Sequence, residues 1–217
     1  IIHTLNFEYF MNDAIYDKLT SWIANLPIEN IDVNRMNMLT EIGKNLREHL
    51  AVKKQFNLHF LCTHNSRRSQ MAQALGQLMA SFFDLPISCF SGGTEVTAFH
   101  PNAIQCLRAI GFQIYEKENI GNQSTFQVNF SDQENGAIMW SKLIDDPRNP
   151  KEDFIAMFTC DQAAEACPIV FGSLQNIKLN SQDPKIYDSL KNAHKAYVKC
   201  AIKIASELKI VFASVLN

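Results

Sequence analysis

A cysteine and an arginine separated by five residues, with a serine directly after them, form the most chemically suggestive pattern in this 217-residue chain. Cys62 ends the apolar run LHFLC, and Arg68 and Ser69 stand just before a segment with helical periodicity. A five-residue loop at such a position can wrap a tetrahedral oxyanion in backbone N–H groups beneath a helix N-terminus. The pattern therefore predicts an oxyanion-binding loop with a nucleophilic cysteine at its floor.

Different residues of this loop are predicted to bind the oxyanion and to act as the nucleophile. Arg68 can contact two oxyanion oxygens with its two-pronged guanidinium. The helix N-terminus and Arg68 both favour the thiolate form of Cys62, and Ser69 can donate a hydrogen bond to that thiolate. The alternative interpretation is that Cys62 is an unreactive buried cysteine at the end of a strand, and that Arg67 and Arg68 belong to a solvent-exposed turn. The predicted oxyanion-binding residues are Thr63, His64, Asn65, Ser66, Arg67 and Arg68.

Two further cysteines lie close together much later in the chain. Cys160 follows a predicted strand, and Cys167 stands seven positions later, directly before Pro168. Positions seven apart in a helix are separated by about 10.5 Å along its axis, whereas a disulfide needs Cα atoms within about 7 Å. The helix-forming core AAEA, ended by proline, can unwind to bring the thiols together. The pair is either a redox couple or two inert cysteines near a helix cap.

An Asp-Pro dipeptide near the last predicted helix supplies a candidate general acid. Asp183 lies in the sequence SQDP and can donate a proton to a leaving oxygen. A second Asp-Pro begins at Asp146, but its position away from the final helix makes it the weaker candidate. No second Cys/His pair has the spacing of a metal site, so no metal is expected.

The elements that must position these residues alternate between strand and helix. Such alternation favours an α/β fold with a parallel sheet covered by helices on both faces. The last helix is predicted to place one apolar face, which includes Leu190 and His194, against the core. Predicted strands span Leu58–Cys62, Pro86–Gly93, Phe154–Thr159 and, more weakly, Asn176–Asn180; predicted helices span Met71–Phe83, Pro101–Phe112 and Tyr187–Val211.

Two segments lie outside this alternation. Residues 1–55 carry apolar side chains every three or four positions and are predicted to form an N-terminal helical extension. Residues 56–217 are predicted to form the catalytic domain. Within it, residues of about 122–153 are predicted to form a hairpin-like insert, because they contain TFQVNF and the turn-like SDQENG.

Composition excludes several classes of function. A net charge of -2 gives no basic surface for nucleic acid. No run approaches the roughly 18 apolar residues of a membrane span, and the first residues do not resemble a signal peptide. Six cysteines are too few for a disulfide-stapled secreted scaffold. We therefore expect a cytoplasmic protein without nucleic-acid or membrane partners, and, because the chain begins at Ile1, further residues ahead of it.

The loop sequence LHFLCTHNSRRSQMAQAL resembles the phosphate-binding loop of the low-molecular-weight protein tyrosine phosphatase superfamily. The run SQMA after the arginine resembles the thioredoxin-coupled arsenate reductase branch in particular. The resemblance extends from about Asn57 to the C-terminus and implies a four-stranded parallel sheet flanked by helices. Three positions depart from the family pattern: His64 replaces a usual Gly, Arg67 a usual Cys, and Gln73 the acidic residue usual in the reductases.

The resemblance also implies a reaction sequence. T-C-x6-C-P matches the cysteine segment of the arsenate reductases, which implies that Cys62 attacks arsenate and Cys160 attacks the Cys62 adduct as arsenite leaves. Cys167 would then resolve the disulfide into a Cys160–Cys167 pair that a thioredoxin-type reductant reduces. Asp183 matches the family's general acid, and no tightly bound cofactor is implied.

Three functions remain open at this point. Retention of both Cys160 and Cys167 favours arsenate reduction, because the phosphatases of the superfamily do not need this pair. The first alternative is a phosphatase that hydrolyses phosphomonoesters through a phosphocysteine intermediate. The second is a non-catalytic oxyanion or redox sensor, which the departures at His64 and Arg67 suggest.

Overall fold

The computed structural model describes residues 14–133, 136–166, 169–179 and 181–217. Its centre is a four-stranded parallel sheet flanked by helices, which confirms the predicted fold class. The elements in chain order are α1 (Asp17–Ala24), α2 (Val33–Val52), β1 (Phe56–Cys62), α3 (Arg68–Phe82), β2 (Ile87–Gly93), α4 (Pro101–Ile110), β3 (Gln113–Ile120), β4 (Gln123–Asn129), β5 (Ala137–Met139), β6 (Phe154–Phe158), α5 (Asp161–Ala166), β7 (Ser173–Lys178) and α6 (Ala193–Val215). The sheet order is β2-β1-β6-β7, so β1 and β6 are its central strands.

The two faces of this sheet bury different cores, because side chains alternate along each strand. Ile155 and Met157 of β6 join the larger core, to which α3 and α6 contribute. The alternate residues of β6 join a smaller core with Ala163 of α5. Every residue of β6 is buried, as expected for a central parallel strand covered on both sides.

The closing helix begins later than predicted. The periodicity indicated a start at Tyr187, but α6 begins at Ala193, and Leu190 and His194 are both exposed rather than buried. Residues 184–187 instead form a 3-10 turn, which begins where the Asp183 carboxylate accepts a hydrogen bond from the Lys185 N–H. Among the described helices none, α6 included, is long and apolar enough to span a membrane.

The described part of residues 1–55 packs on the C-terminal half of α6. Helix α2 approaches α6 so closely at Gly43 that a Cβ there would lie 2.5 Å from the Cβ of Ser214. Arg35 also forms a 2.6 Å ion pair with Glu207 of α6. Because α2 covers it, the last part of α6 is buried on all sides, and both helices share the larger core.

The predicted insert contains more strand than its sequence pattern indicated. Strands β3, β4 and β5 form a separate antiparallel sheet, with a turn at Gly121 between the first two. The hairpin expected from TFQVNF corresponds to β4 with β3, which begins well before residue 122. The sequence of β3, QIYEKENI, is polar because most of its side chains are exposed, so it carries no apolar alternation to reveal a strand.

Candidate active site

The predicted oxyanion loop joins β1 to α3 at the carboxyl edge of the parallel sheet, where open α/β sheets bind their ligands. Cys62 is the last residue of β1, and α3 begins at Arg68, earlier than the predicted start at Met71. A pocket of about 170 Å³ opens over this loop. Its lining consists of Cys62, Thr63, His64, Ser66, Arg67, Arg68, Gln162, Asp183 and Lys185.

Hydrogen bonds inside the loop prepare Ser69 to act on Cys62. The Asn65 amide nitrogen donates to the Ser69 hydroxyl oxygen over 2.9 Å, which leaves the hydroxyl proton free for another acceptor. The Cys62 sulfur lies 2.9 Å from the same oxygen. This arrangement leaves the Ser69 hydroxyl proton available to the Cys62 sulfur, while the Asn65 amide occupies the hydroxyl oxygen.

The departure at His64 does not disturb the loop. The left-handed residue of the loop is Asn65, with φ 42°, so His64 needs no glycine-like conformation. His64 contributes to the pocket lining, and its ring Nε2 lies 3.3 Å from the Glu95 carboxylate. Gln73, a further departure from the family pattern, is buried. Its side-chain oxygen accepts a 2.6 Å hydrogen bond from the Ser91 hydroxyl.

The segment of residues 140–142, which follows β5, forms hydrogen bonds with the loop and with the start of α3. The Lys142 backbone N–H donates to the Asn65 side-chain oxygen over 2.9 Å, which fixes the direction of the amide. The Ser141 hydroxyl donates to the His64 carbonyl over 3.0 Å. The Gln70 side chain of α3 donates to the Trp140 carbonyl over 2.7 Å. The residue types of Trp140, Ser141 and Lys142 indicated no part in the site, because backbone groups supply most of these contacts and leave no residue-type signature.

Arg68 lies at the pocket and binds the segment that carries the candidate acid. One guanidinium nitrogen donates to the Asp183 carboxylate over 2.6 Å. Another donates to the carbonyl oxygens of Ser181 and Thr159, over 3.1 and 3.3 Å. Asp183 thus lines the same pocket as the loop, with its carboxylate bound to Arg68.

Arg67 lines the same pocket, but its guanidinium is engaged elsewhere. It donates to the Tyr197 hydroxyl over 2.8 Å and to the Asp188 carboxylate. Tyr197 also donates to Asp188, and His100 stacks on the Tyr197 ring. Burial acts to raise the pKa of Asp188, but the hydrogen bonds from Tyr197 and Arg67 hold that pKa below its usual value. Arg67 was predicted to bind the oxyanion, and the contacts instead indicate that it anchors the segment after Asp183.

The described cysteines separate into two groups. Cys160 is buried beside the loop, with its sulfur 3.8 Å from the Thr63 hydroxyl, and shares the smaller core with Cys62. Cys167 lies outside the described residues. Cys106 and Cys200 belong to the larger core, where burial raises their pKa values to about 12 and about 11, as expected of inert thiols. In the part of the chain that the structure describes, no three His, Cys, Asp or Glu side chains could together hold a metal ion.

Three curated arsenate reductases illustrate what the sequence is similar to, although no protein-family model matches the chain. The enzyme of Halalkalibacterium halodurans is 27% identical over 128 residues, which cover 58% of this chain and 73% of that protein. The Brevibacillus brevis enzyme is 29% identical over 127 residues, covering 58% and 75%. The Oceanobacillus iheyensis enzyme is 27% identical over 155 residues, covering 70% and 92%.

Solved structures establish the fold independently. A YwlE mutant from Bacillus subtilis superposes with a TM-score of 0.52 at 15% identity, covering 75% of this chain and all of that one (100%). A low-molecular-weight protein tyrosine phosphatase from T. tengcongensis has a TM-score of 0.51 at 12% identity, covering 73% and 99%. The chain therefore has the low-molecular-weight phosphatase fold. Its homologues among the arsenate reductases indicate an enzyme of the arsenate reductase and low-molecular-weight phosphatase kind.

Proposed function

We propose that this chain reduces arsenate to arsenite with a relay of Cys62, Cys160 and Cys167. The observation that carries the proposal is the place of Cys160, whose sulfur lies 3.8 Å from the Thr63 hydroxyl of the oxyanion loop. Hydrolysis of a phosphomonoester needs a single nucleophilic thiol, whereas reduction needs a second thiol next to the first. The similarity to curated arsenate reductases gives independent support.

Binding and the first bond change use the pocket over the loop. At about 170 Å³ the pocket is smaller than the roughly 300–1,000 Å³ of typical organic-ligand sites and suits a small oxyanion. Arg68 binds two arsenate oxygens, and the Cys62 thiolate, which accepts a hydrogen bond from Ser69, attacks arsenic. A sulfur–arsenic bond forms, and one oxygen leaves as water after Asp183 supplies its proton.

The second step transfers two electrons. The Cys160 thiolate attacks the Cys62 sulfur, a Cys62–Cys160 disulfide forms, and the sulfur–arsenic bond breaks. Arsenic keeps the electron pair of that bond and leaves as arsenite, so arsenic is reduced and the two thiols are oxidised. Cys160 is buried beside the loop, which keeps water from competing for the adduct.

The third step restores the nucleophile. The Cys167 thiolate attacks the Cys160 sulfur, which releases Cys62 as a thiolate and forms a Cys160–Cys167 disulfide. The short helix α5 between these two cysteines is able to unwind at low cost because it has fewer than two turns. An external dithiol of the thioredoxin type then reduces the pair.

Disulfide mapping tests this relay. The fully reduced protein is treated with arsenate alone, or with phosphate as the control, and its disulfides are identified by peptide mass spectrometry. We expect a Cys160–Cys167 disulfide with arsenate only, and a trapped Cys62–Cys160 disulfide in Cys167→Ser. The matched control Cys200→Ser should release arsenite normally. If all thiols stay free while an aryl phosphate is hydrolysed, the reductase proposal is wrong.

Phosphomonoester hydrolysis is the second candidate, and the presence of Asp183 in the lining of the Cys62 pocket favours it. Asp183 would protonate an alcohol or phenol leaving group, and a solved low-molecular-weight protein tyrosine phosphatase shares the fold. This candidate requires that Cys160→Ser leave aryl phosphate hydrolysis intact, whereas the reductase proposal requires that the same variant lose arsenite release. The two activities can therefore be assigned separately on one variant.

A further inference from the structure

A second cavity, of about 380 Å³, lies behind the segment that carries Asp183. Ser181 and Asp183 line it, and Arg68 holds the same two residues from the oxyanion pocket. This segment is therefore a wall between the two cavities, and the first half of α6 forms the opposite wall. The volume lies within the roughly 300–1,000 Å³ range of small-molecule sites, and the reaction of an inorganic oxyanion uses none of it.

The inner surface of this second cavity is largely apolar. Pro184 and Tyr187 contribute from the 3-10 turn, and Ala196 contributes from α6. Cys200 lies at the cavity and is buried, and burial raises the pKa of its thiol to about 11, so the thiol is uncharged near neutral pH. Such a surface favours the apolar body of an organic molecule over a fully hydrated ion.

The rim of the cavity is positively charged. Lys195, Lys199 and Lys203 line it at intervals of four residues along α6, and all three are exposed. No ion pair involves these lysines within the described residues. The single acidic side chain of the lining, Asp183, is paired with Arg68, so the lysine charges are not neutralised within the cavity.

We infer that this second cavity binds an organic anion that has an apolar body, such as an aryl or alkyl carboxylate, sulfonate or phosphate. The three lysines extend over about 12 Å of helix, which is more than one tetrahedral oxyanion can contact. An apolar body against Pro184, Tyr187 and Ala196 would instead place its anionic group at the lysine rim. The inference concerns binding at a site separate from Cys62 and does not depend on arsenate reduction.

Fluorescence titration with 8-anilinonaphthalene-1-sulfonate tests this inference. Its aromatic body and single sulfonate match the cavity chemistry, and calorimetry checks the stoichiometry. The double variant Lys195→Gln/Lys199→Gln should weaken binding about tenfold, because two exposed charge contacts are lost. Ala196→Phe should abolish binding because its ring fills the cavity. The control Lys191→Gln removes the same charge outside the cavity lining and should leave affinity unchanged.

Two further measurements test whether the probe binds in the second cavity or in the oxyanion pocket. Saturating phosphate and the Cys62→Ser variant should leave the probe bound, because both act on the oxyanion pocket. Displacement of the probe by phosphate would place it in that pocket and overturn the inference. Equal weakening by Lys191→Gln, or unchanged binding in the lysine double variant, would show an adventitious additive only. The lysine variants change exposed side chains, so they test the site even if Ala196→Phe fails to fold.

Discussion

The guanidinium of Arg68 donates a 2.6 Å hydrogen bond to the carboxylate of Asp183, so the predicted oxyanion ligand and the predicted proton donor bind each other directly. An oxyanion that uses both prongs of the guanidinium has to compete with this carboxylate. The neighbouring Arg67 binds Asp188, only five residues after Asp183. Two adjacent arginines of the loop therefore hold both ends of one short segment.

Replacing the carboxylate of Asp183 should separate binding from catalysis. In Asp183→Asn, Arg68 loses its charged competitor, and we expect phosphate to bind up to about fivefold more tightly, since a partly exposed ion pair contributes about 0.2–1 kcal/mol. Loss of the general acid should lower aryl phosphate hydrolysis about 100- to 10,000-fold. Calorimetry and steady-state kinetics measure the two effects. Weaker phosphate binding would contradict the proposed competition.

The hydroxyl of Ser69 should control the reactivity of Cys62. Ser69→Ala removes the hydrogen bond to the sulfur, and bonds to charged groups contribute about 1.5–3 kcal/mol, so we expect at least about tenfold slower alkylation by iodoacetamide at neutral pH. Mass spectrometry of the Cys62 peptide measures the rate. Ser66→Ala is the matched control, because its hydroxyl donates to the Ala98 carbonyl instead. Equal rates in both variants would remove Ser69 from the mechanism.

Asp188 should position the acid segment without contacting the oxyanion. Asp188→Asn leaves Arg67 without its charged partner, and we expect a loss of about 1.5–3 kcal/mol in the free energy of unfolding. The kcat for aryl phosphate should fall while the Kd for phosphate stays within about twofold, because Arg68 still binds it. Asp146→Asn, which weakens a longer 3.7 Å pair with the exposed Arg148 but keeps an oxygen for the Arg148 N–H, should change stability by less than about 0.5 kcal/mol. A large rise in the phosphate Kd would instead make Arg67 an oxyanion ligand.

The contact of α2 with α6 should be sensitive to a single methyl group. In Gly43→Ala the new Cβ would lie 2.5 Å from the Ser214 Cβ, so the two helices must separate. We expect the free energy of unfolding to fall by about 1–3 kcal/mol, as is usual for overpacked contacts. Urea denaturation measures it, with the exposed neighbour substitution Lys44→Ala as the control. A stabilised Gly43→Ala protein would show that α2 does not pack this closely on α6.

His59 should make stability depend on pH. Its ring is buried against Phe154. Burial, with a smaller effect of Lys142, lowers its pKa from 6.5 to about 3. Between these values the unfolded chain binds a proton that the folded chain excludes, so stability falls as pH drops below 6.5, by up to about 1.4 kcal/mol per pH unit.

The variant His59→Leu removes this titration while keeping an apolar side chain of similar size. Between pH 7.5 and pH 5, the original chain should lose about 2 kcal/mol more in free energy of unfolding than the variant. Urea denaturation at the two pH values measures the difference. Parallel losses in both proteins would show that His59 does not stay neutral in the folded state.

The site residues that sequence analysis identified are those joined by local geometry. Cys62, Ser69 and Arg68 belong to one strand–loop–helix unit, whose spacing alone determines that they meet. The four-stranded parallel sheet followed from the resemblance and from the alternation of strands with helices, whereas the order of its strands came from the structure. Asp183 was found because a dipeptide marked it, although its partner Arg68 lies far away in the chain.

The contacts that escaped prediction are long-range and use common residue types. Arg67 and Asp188 are an ordinary arginine and aspartate, and nothing in their spacing predicts an ion pair. The support from Trp140 and Lys142 comes through backbone groups, which every residue possesses. The late start of α6 also escaped prediction, because a separate 3-10 turn capped by the Asp183 side chain occupies residues 184–187.

The hydrogen bond from Lys142 to Asn65 also bears on when the loop can take its final form during synthesis. The amide that prepares Ser69 is oriented by the backbone of Lys142, and the segment that faces Cys62 follows later still, at Asp183. A nascent chain that has emerged from the ribosome only as far as residue 130 contains the whole Cys-x5-Arg motif but neither of these supports. Long-range contacts of this kind form late in folding. The surroundings of Cys62 are therefore completed only after synthesis has passed Asp183.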